Sequence, residues 1–195
     1  MSQTRIIALV GSLRAASINR RLAEAAAQTA AGDVEITIYE GLGDIPFYNE
    51  DLDVAGQVPA TAAALREAVG AADAVLLVTP EYNGTLPAVL KNAIDWASRP
   101  YGAGALKAKP SAVISASISS NAAKWSHDDA VKSLGVAGSK VVEEASLNFG
   151  TIGQRFGETH PADDAEALTQ LAATVRLLAE TAQALAETAQ ATVNV

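Results

Sequence analysis

The chain contains no cysteine. That absence removes disulfides, thiolate nucleophiles, cysteine zinc sites and cysteine-ligated iron–sulfur clusters together, so any redox chemistry needs a bound organic cofactor. Only two histidines occur, His127 and His160, 33 positions apart and in no HxxxH or HExxH arrangement. A histidine-based metal site is disfavoured. Basic residues are also scarce: 14 Lys and Arg stand against 22 Asp and Glu, for a formal net charge of −8. Nothing in that balance favours a polyanion, and nucleic acid is not an expected partner. Long apolar runs are missing too. The first, Ile6 to Val10, has five residues and ends at Gly11, too short for a signal-peptide core, and the alanine-rich tail is interrupted by Glu, Gln and Thr. The expectation is a soluble, cytoplasmic protein without a membrane partner.

What is present points to a core. Of 195 residues 49% are hydrophobic, with only 14 glycines and 7 prolines, which fits one globular domain over residues 1–195. Apolar runs of strand length recur at Arg5–Val10, Val34–Tyr39, Ala74–Thr79, Ser111–Ser117 and Lys140–Leu147. Their apolarity is continuous rather than alternating, the mark of strands covered on both faces. Amphipathic stretches lie between them at about Asn19–Ala31, Ala60–Ala71, Pro87–Ser98 and His127–Ala137. Alternation of this kind predicts an α/β fold with a doubly wound, five-stranded parallel sheet and helices on both faces. The flavodoxin-like strand order 2-1-3-4-5 fits, with its switch point between strands one and three.

Two connections fall at that switch point. Gly11-Ser12-Leu13-Arg14-Ala15-Ala16-Ser17-Ile18-Asn19-Arg20 follows strand one and opens a helix. Backbone N–H groups at a helix start, with hydroxyls, an amide and arginines, suit a phosphate. Arg14 supplies a forked cation for a terminal phosphate, and Arg20 is a second arginine placed to face it. The segment is neither GxxxxGK[ST] nor GxGxxG, so nucleoside triphosphate hydrolysis is unsupported. A simpler reading stands beside this one, in which Ser17 and Asn19 only cap a helix and the arginines are solvated. The second connection, Pro80-Glu81-Tyr82-Asn83-Gly84-Thr85-Leu86-Pro87, sets polar groups beside an aromatic ring and suits a flat heteroaromatic ligand. A third, Glu40 to Pro59, is long and broken by Gly41, Gly43, Pro46 and Gly56, a length often tied to function. Asp163–Val193 reads as a final helix whose Leu168, Leu171, Val175 and Leu178 form one packing face.

GSLRAASIN followed by PEYNGTLPAVLKNAIDWASRP resembles the NAD(P)H-dependent FMN reductases, a family that includes quinone, azo-dye and chromate reductases. The likeness runs from about residue 5 to residue 117. It implies FMN as cofactor, NADPH or NADH as electron donor, and a quinone, azo compound, metal oxyanion or free flavin as small-molecule acceptor. It also implies that Ser12, Arg14, Ser17, Ile18 and Asn19 hold the FMN phosphate, and that Pro80, Glu81, Tyr82, Asn83 and Gly84 hold the isoalloxazine. Ser117, ending the fourth strand, is similar to a third contact near the pyrimidine side or ribityl chain. A homodimer or homotetramer with FMN near the interface follows by the same analogy, and the LKNAIDW stretch resembles a helix used in subunit contact.

Departures from the family are local. Ala16 stands where a glycine is usual, and Ser119-Ser120-Asn121-Ala122-Ala123-Lys124-Trp125-Ser126-His127 replaces a glycine-rich segment with Gly-Gly-Ala-Arg and a nearby Gln. Trp125 there is read first as an interface residue, with stacking on a ligand as the other option, and His127 as a surface histidine at a helix start. Two rivals to the reductase remain. One is a flavodoxin-like electron carrier or flavin-binding module, although such carriers use a Ser- and Thr-rich loop without the arginine. The other is a scaffold whose flavin site has decayed at Ala122 to Trp125.

Overall fold

The computed structural model describes residues 3–193. The predicted alternation is realised as β1 (Thr4–Val10), α1 (Ile18–Gln28), β2 (Val34–Ile38), α2 (Ala60–Ala71), β3 (Ala74–Thr79), α3 (Ala88–Ala97), β4 (Pro110–Ala116), α4 (Lys124–Val136), β5 (Lys140–Val141), β6 (Leu147–Phe149), α5 (Ile152–Arg155) and α6 (Ala165–Val193). All strand pairs are parallel, in the order β2-β1-β3-β4-β5, with β6 also on β4. This is the flavodoxin-like sheet expected from the sequence.

Continuous apolarity in the central strands has the expected cause. Ile6, Ala8 and Val10 of β1 face one core with Leu22 and Ala26 of α1 and Leu171, Val175 and Leu178 of α6. Ile7 and Leu9 face the other, shared with Leu65 of α2, Leu90 and Trp96 of α3, and Leu134 of α4. The central strands β3 and β4 therefore bury both faces, with only small polar residues such as Thr79, Ser111 and Ser115 among them, whereas the edge strand β2 alternates half-buried and exposed residues.

The predicted fifth strand is the point of difference. Its residues form two short pieces on one edge of β4, Lys140 and Val141 opposite Pro110 and Ser111, then Leu147 to Phe149 opposite Ile114 to Ala116. Three residues too many for continuous pairing lie between, and Glu143–Ala145 turns out of the edge as a 3-10 segment. Ser146 Oγ then accepts the Val113 N–H at 3.2 Å, replacing the missing carbonyl. Helix ends differ by small amounts, the largest being three residues: α1 ends at Gln28 rather than Ala31, and α4 begins at Lys124 rather than His127.

The long connection from 40 to 59 is tied to α3. Asn92, only 6% exposed, accepts the Tyr48 N–H at 2.8 Å and donates to the carbonyls of Ile45 and Pro46 at 3.2 and 3.1 Å. Trp96 Nε1 donates to the same Pro46 carbonyl at 2.8 Å, and Tyr48 meets the indole edge-on at 5.0 Å. Arg66 lies over Trp96 and pairs with Asp53 at 2.7 Å, fastening the far end of the loop to α2. Two motif residues whose family likeness suggested subunit contact thus act first within the chain.

Candidate functional site

Gly11 decides how the two switch-point loops meet. A Cβ there would lie 2.6 Å from Leu90 Cδ1, closer than real side chains approach, and a tight 3.2 Å from Pro80 Cδ. The Gly11 N–H donates to the Val78 carbonyl at 2.8 Å, so the first loop leaves β1 pressed against the start of the second. A side chain at this position would have to push Leu90 and Pro80 aside.

From Gly11 the chain passes through exposed Leu13, Arg14, Ala15 and Ala16 and turns into α1 at buried Ser17. Ser17 is the N-cap, its Oγ accepting the Arg20 N–H at 3.4 Å, which leaves its hydroxyl proton free to donate to an anion. Capping and phosphate binding are therefore compatible in one residue. Asn19 is 5% exposed and its Oδ1 is buried without a donor. An unmet polar atom at a helix start beside a loop of N–H groups is what a polar ligand would satisfy. Ile18 packs its partly buried side chain against the α1 and α6 core.

The arginines divide. Arg20 donates to Glu24 at 3.1 Å and binds both oxygens of Glu40, which holds the Glu40 carboxyl below its ordinary range. It does not serve the loop as the sequence suggested, because two carboxylates claim its guanidinium. Arg21 turns to the Glu158 carbonyl at 3.1 Å. Arg14 is exposed and, among the described residues, has no ion-pair partner, so it is the free cation of this loop.

In the second loop Tyr82 and Thr85 exchange backbone hydrogen bonds at 3.1 and 3.2 Å. Asn83 and Gly84 between them have φ of 52° and 76°, the pattern of a type I′ turn and the reason for an Asn-Gly pair. Tyr82 is 48% exposed beside this turn. Glu81 faces elsewhere: its carboxylate accepts the N–H groups of Trp125 and Ser126 at 3.0 and 3.3 Å, capping α4, whose N-cap Ala123 has no side-chain oxygen to offer. Pro80 is buried, and its carbonyl accepts the Ser126 and Thr79 hydroxyls, each at 2.8 Å. Thr85 donates to Asp129 at 2.6 Å. The aromatic loop and the first turns of α4 are thus clamped together. Ser126 and Asp129 carry much of this clamp, and a lone serine or aspartate in a helix gave no sequence signal for it.

Ser117 lies partly buried where β4 ends, its Oγ accepting the Ser119 N–H at 3.2 Å. Beyond it Ala122 and Ala123 both have positive φ, 55° and 57°, so the segment keeps glycine-like backbone with alanine. Ser115 Oγ donates to the Ala122 carbonyl at 2.7 Å and receives Asn148 Nδ2 at 2.5 Å, which holds the turn in place. His127 differs from its expectation: the side chain is 12% exposed, with Nδ1 3.2 Å from Asp128. It sits in the first turn of α4, not on an open surface. Of the five non-glycine residues with positive φ among the described residues, Asn83, Ala122, Ala123 and Thr151 all stand beyond the carboxyl ends of strands. Strain gathers beyond the carboxyl ends of the strands.

Two loops that meet at Gly11 and Pro80, at the switch point of a parallel 2-1-3-4-5 sheet, define a protein of flavodoxin-like fold. The sequence model of the NADPH-dependent FMN reductases matches residues 4–154, and the chain belongs to that family. It is 48% identical over 118 residues to a quinone reductase of Pseudomonas putida, covering 60% of this chain and 62% of that protein. It is 43% identical over 114 residues to a 2-hydroxy-1,4-benzoquinone reductase of a Burkholderia species, covering 58% and 61%. The matched segments thus span about three fifths of those relatives' lengths. Among solved structures, FerB, a flavoenzyme NAD(P)H:(acceptor) oxidoreductase from Paracoccus denitrificans, superposes with a TM-score of 0.80 at 30% identity, covering 92% of this chain and 97% of FerB.

Proposed function

We propose that this chain is an FMN-dependent NAD(P)H oxidoreductase of the quinone reductase type. One observation carries the reading: a loop with a free arginine leaves β1 at Gly11 packed against Pro80, the residue that opens the loop bearing the aromatic turn. Arg14, Ser12, Ser17 and the α1 N-terminus hold the phosphate of FMN, Ile18 anchors the helix start in the core, and the unmet Asn19 Oδ1 accepts from a hydroxyl of the ligand. Pro80, Tyr82, Asn83 and Gly84 back the ring, Glu81 fixes this loop to α4, and Ser117 closes the site from β4. When bound, FMN supplies two-electron transfer between NADH or NADPH and a quinone, azo compound, metal oxyanion or free flavin. The chain's own task is to bind, orient and leave one ring face open; no side-chain nucleophile is required.

The names of the Pseudomonas and Burkholderia relatives support a quinone as the acceptor class. A cytoplasmic setting supplies the nucleotide donor. Assembly as a homodimer or homotetramer is part of the proposal, supported by a groove of about 1150 Å³ between α3 and α4 that is rimmed by exposed Tyr101 and Val136. The test is anaerobic rapid mixing of FMN-loaded protein with NADH and with NADPH. Bleaching of the visible flavin band by either nucleotide, and its return on adding a quinone, is the expected result. Bound FMN that neither nucleotide reduces assigns the chain to electron carriage instead.

A further inference from the structure

Trp125 is unusual among the large apolar side chains because it is 61% exposed yet held in place. Its backbone N–H donates to the Glu81 carboxylate at 3.0 Å, and the hydroxyl of the next residue, Ser126, donates to the Pro80 carbonyl. Its indole packs on the aromatic turn: a Cβ at Gly84 would stand 3.5 Å from Trp125 Cε3. Tyr82, half-exposed, belongs to the same turn. The backbone delivers the indole there through two successive alanines in the left-handed region, which L side chains disfavour. A chain that bears such strain to hold an open indole against the ring-binding loop presents a flat surface at a fixed place.

We propose that Trp125 is a specificity-determining residue, a wall on which the flat conjugated ring of a substrate stacks, whether the nicotinamide of the donor or the ring of the acceptor. The proposal rests on the flavin reading above. It selects planar conjugated substrates over compact acceptors that have no ring.

The test compares FMN-loaded wild type, Trp125→Ala and Trp125→Phe with NADH, 1,4-naphthoquinone and ferricyanide. Each kcat/KM reports one substrate, and ferricyanide has no ring to stack. In Trp125→Ala the naphthoquinone constant, or the NADH constant if the donor's ring uses the wall, falls relative to ferricyanide by roughly 2- to 13-fold, the span of an aromatic pair. Trp125→Phe restores most of it. A second readout needs no turnover. Trp96 is 0% exposed, so contact quenching of tryptophan emission by naphthoquinone reports Trp125 and is lost in Trp125→Phe. Unchanged ratios, an equal fall for all three substrates, or a drop in assembly mass of Trp125→Ala by light scattering would overturn the proposal. Failure of wild type to bind FMN in a fluorescence titration overturns the flavin reading itself, whereas bound FMN with unchanged ratios overturns the stacking role alone.

Discussion

Gly11→Ala tests whether the two loops form one site. The new methyl would start 2.6 Å from Leu90 Cδ1, and an ordinary contact near 3.4 Å requires a displacement of roughly 0.8 Å. Leu90 is 0% exposed and cannot swing into solvent, so the strain is taken by the loop or by α3. Overpacking of this kind costs about 1–3 kcal/mol. For a chain of this size that lowers Tm by roughly 2–12 °C. A shift approaching 1 Å between phosphate cradle and aromatic turn also weakens FMN binding, by about tenfold or more. Thermal melts of the apoprotein and quenching of FMN fluorescence read the two effects. The double variant Gly11→Ala with Leu90→Ala sharpens the test, since Leu90→Ala alone costs about 2–5 kcal/mol through its cavity. The added methyl fills part of that cavity, so the pair is less destabilised than the sum by about 0.5–3 kcal/mol. Additive losses, or a Gly11→Ala protein with unchanged Tm and unchanged FMN affinity, would refute the argument.

Arg14→Ala removes the free cation of the cradle and is expected to weaken FMN binding roughly tenfold while leaving riboflavin, which has no phosphate, nearly unchanged; paired titrations check this. Asn92→Ala strands the Tyr48 N–H and two carbonyls and costs about 2–4 kcal/mol, read by urea denaturation, with faster amide exchange at Tyr48. Asp164, held by Arg155 and by the Ala167 N–H, has its carboxyl pushed down to about 2. Its contribution is full above the unfolded value near ~3.9 and is lost as pH falls towards 2, so Asp164→Asn reduces the loss of stability between pH 5 and pH 2.5 by about 1 kcal/mol or less at this partly exposed site. Urea midpoints across that range measure it.

Much of the architecture was legible because parallel strands buried on both faces leave continuous apolar runs, as at Ala74–Thr79, and glycines mark their ends. The fifth strand misled for a physical reason. Lys140–Leu147 has strand composition, but its register on β4 carries three residues too many, which no local pattern records. At the site, Ser17 was legible through its capping chemistry and Gly84 as a place of close backbone approach, whereas the packing at Gly11 and the tight Asn83-Gly84 turn became visible only in the structure. Arg20 did not, since its claim by Glu40 depends on β2 lying beside β1, a contact across 20 residues. The Glu81, Ser126 and Asp129 clamp was equally hidden, because it joins segments more than 40 residues apart.

The central claim is that residues 11–19 and 80–84 form one FMN site. A crystal structure of the FMN complex tests it most directly. The account predicts phosphate density within hydrogen-bonding distance of Arg14, Ser17 and the α1 N-terminus, with the ring against Tyr82–Gly84. Phosphate density away from Arg14 and the α1 N-terminus, or a ring that does not touch Tyr82–Gly84, would contradict it.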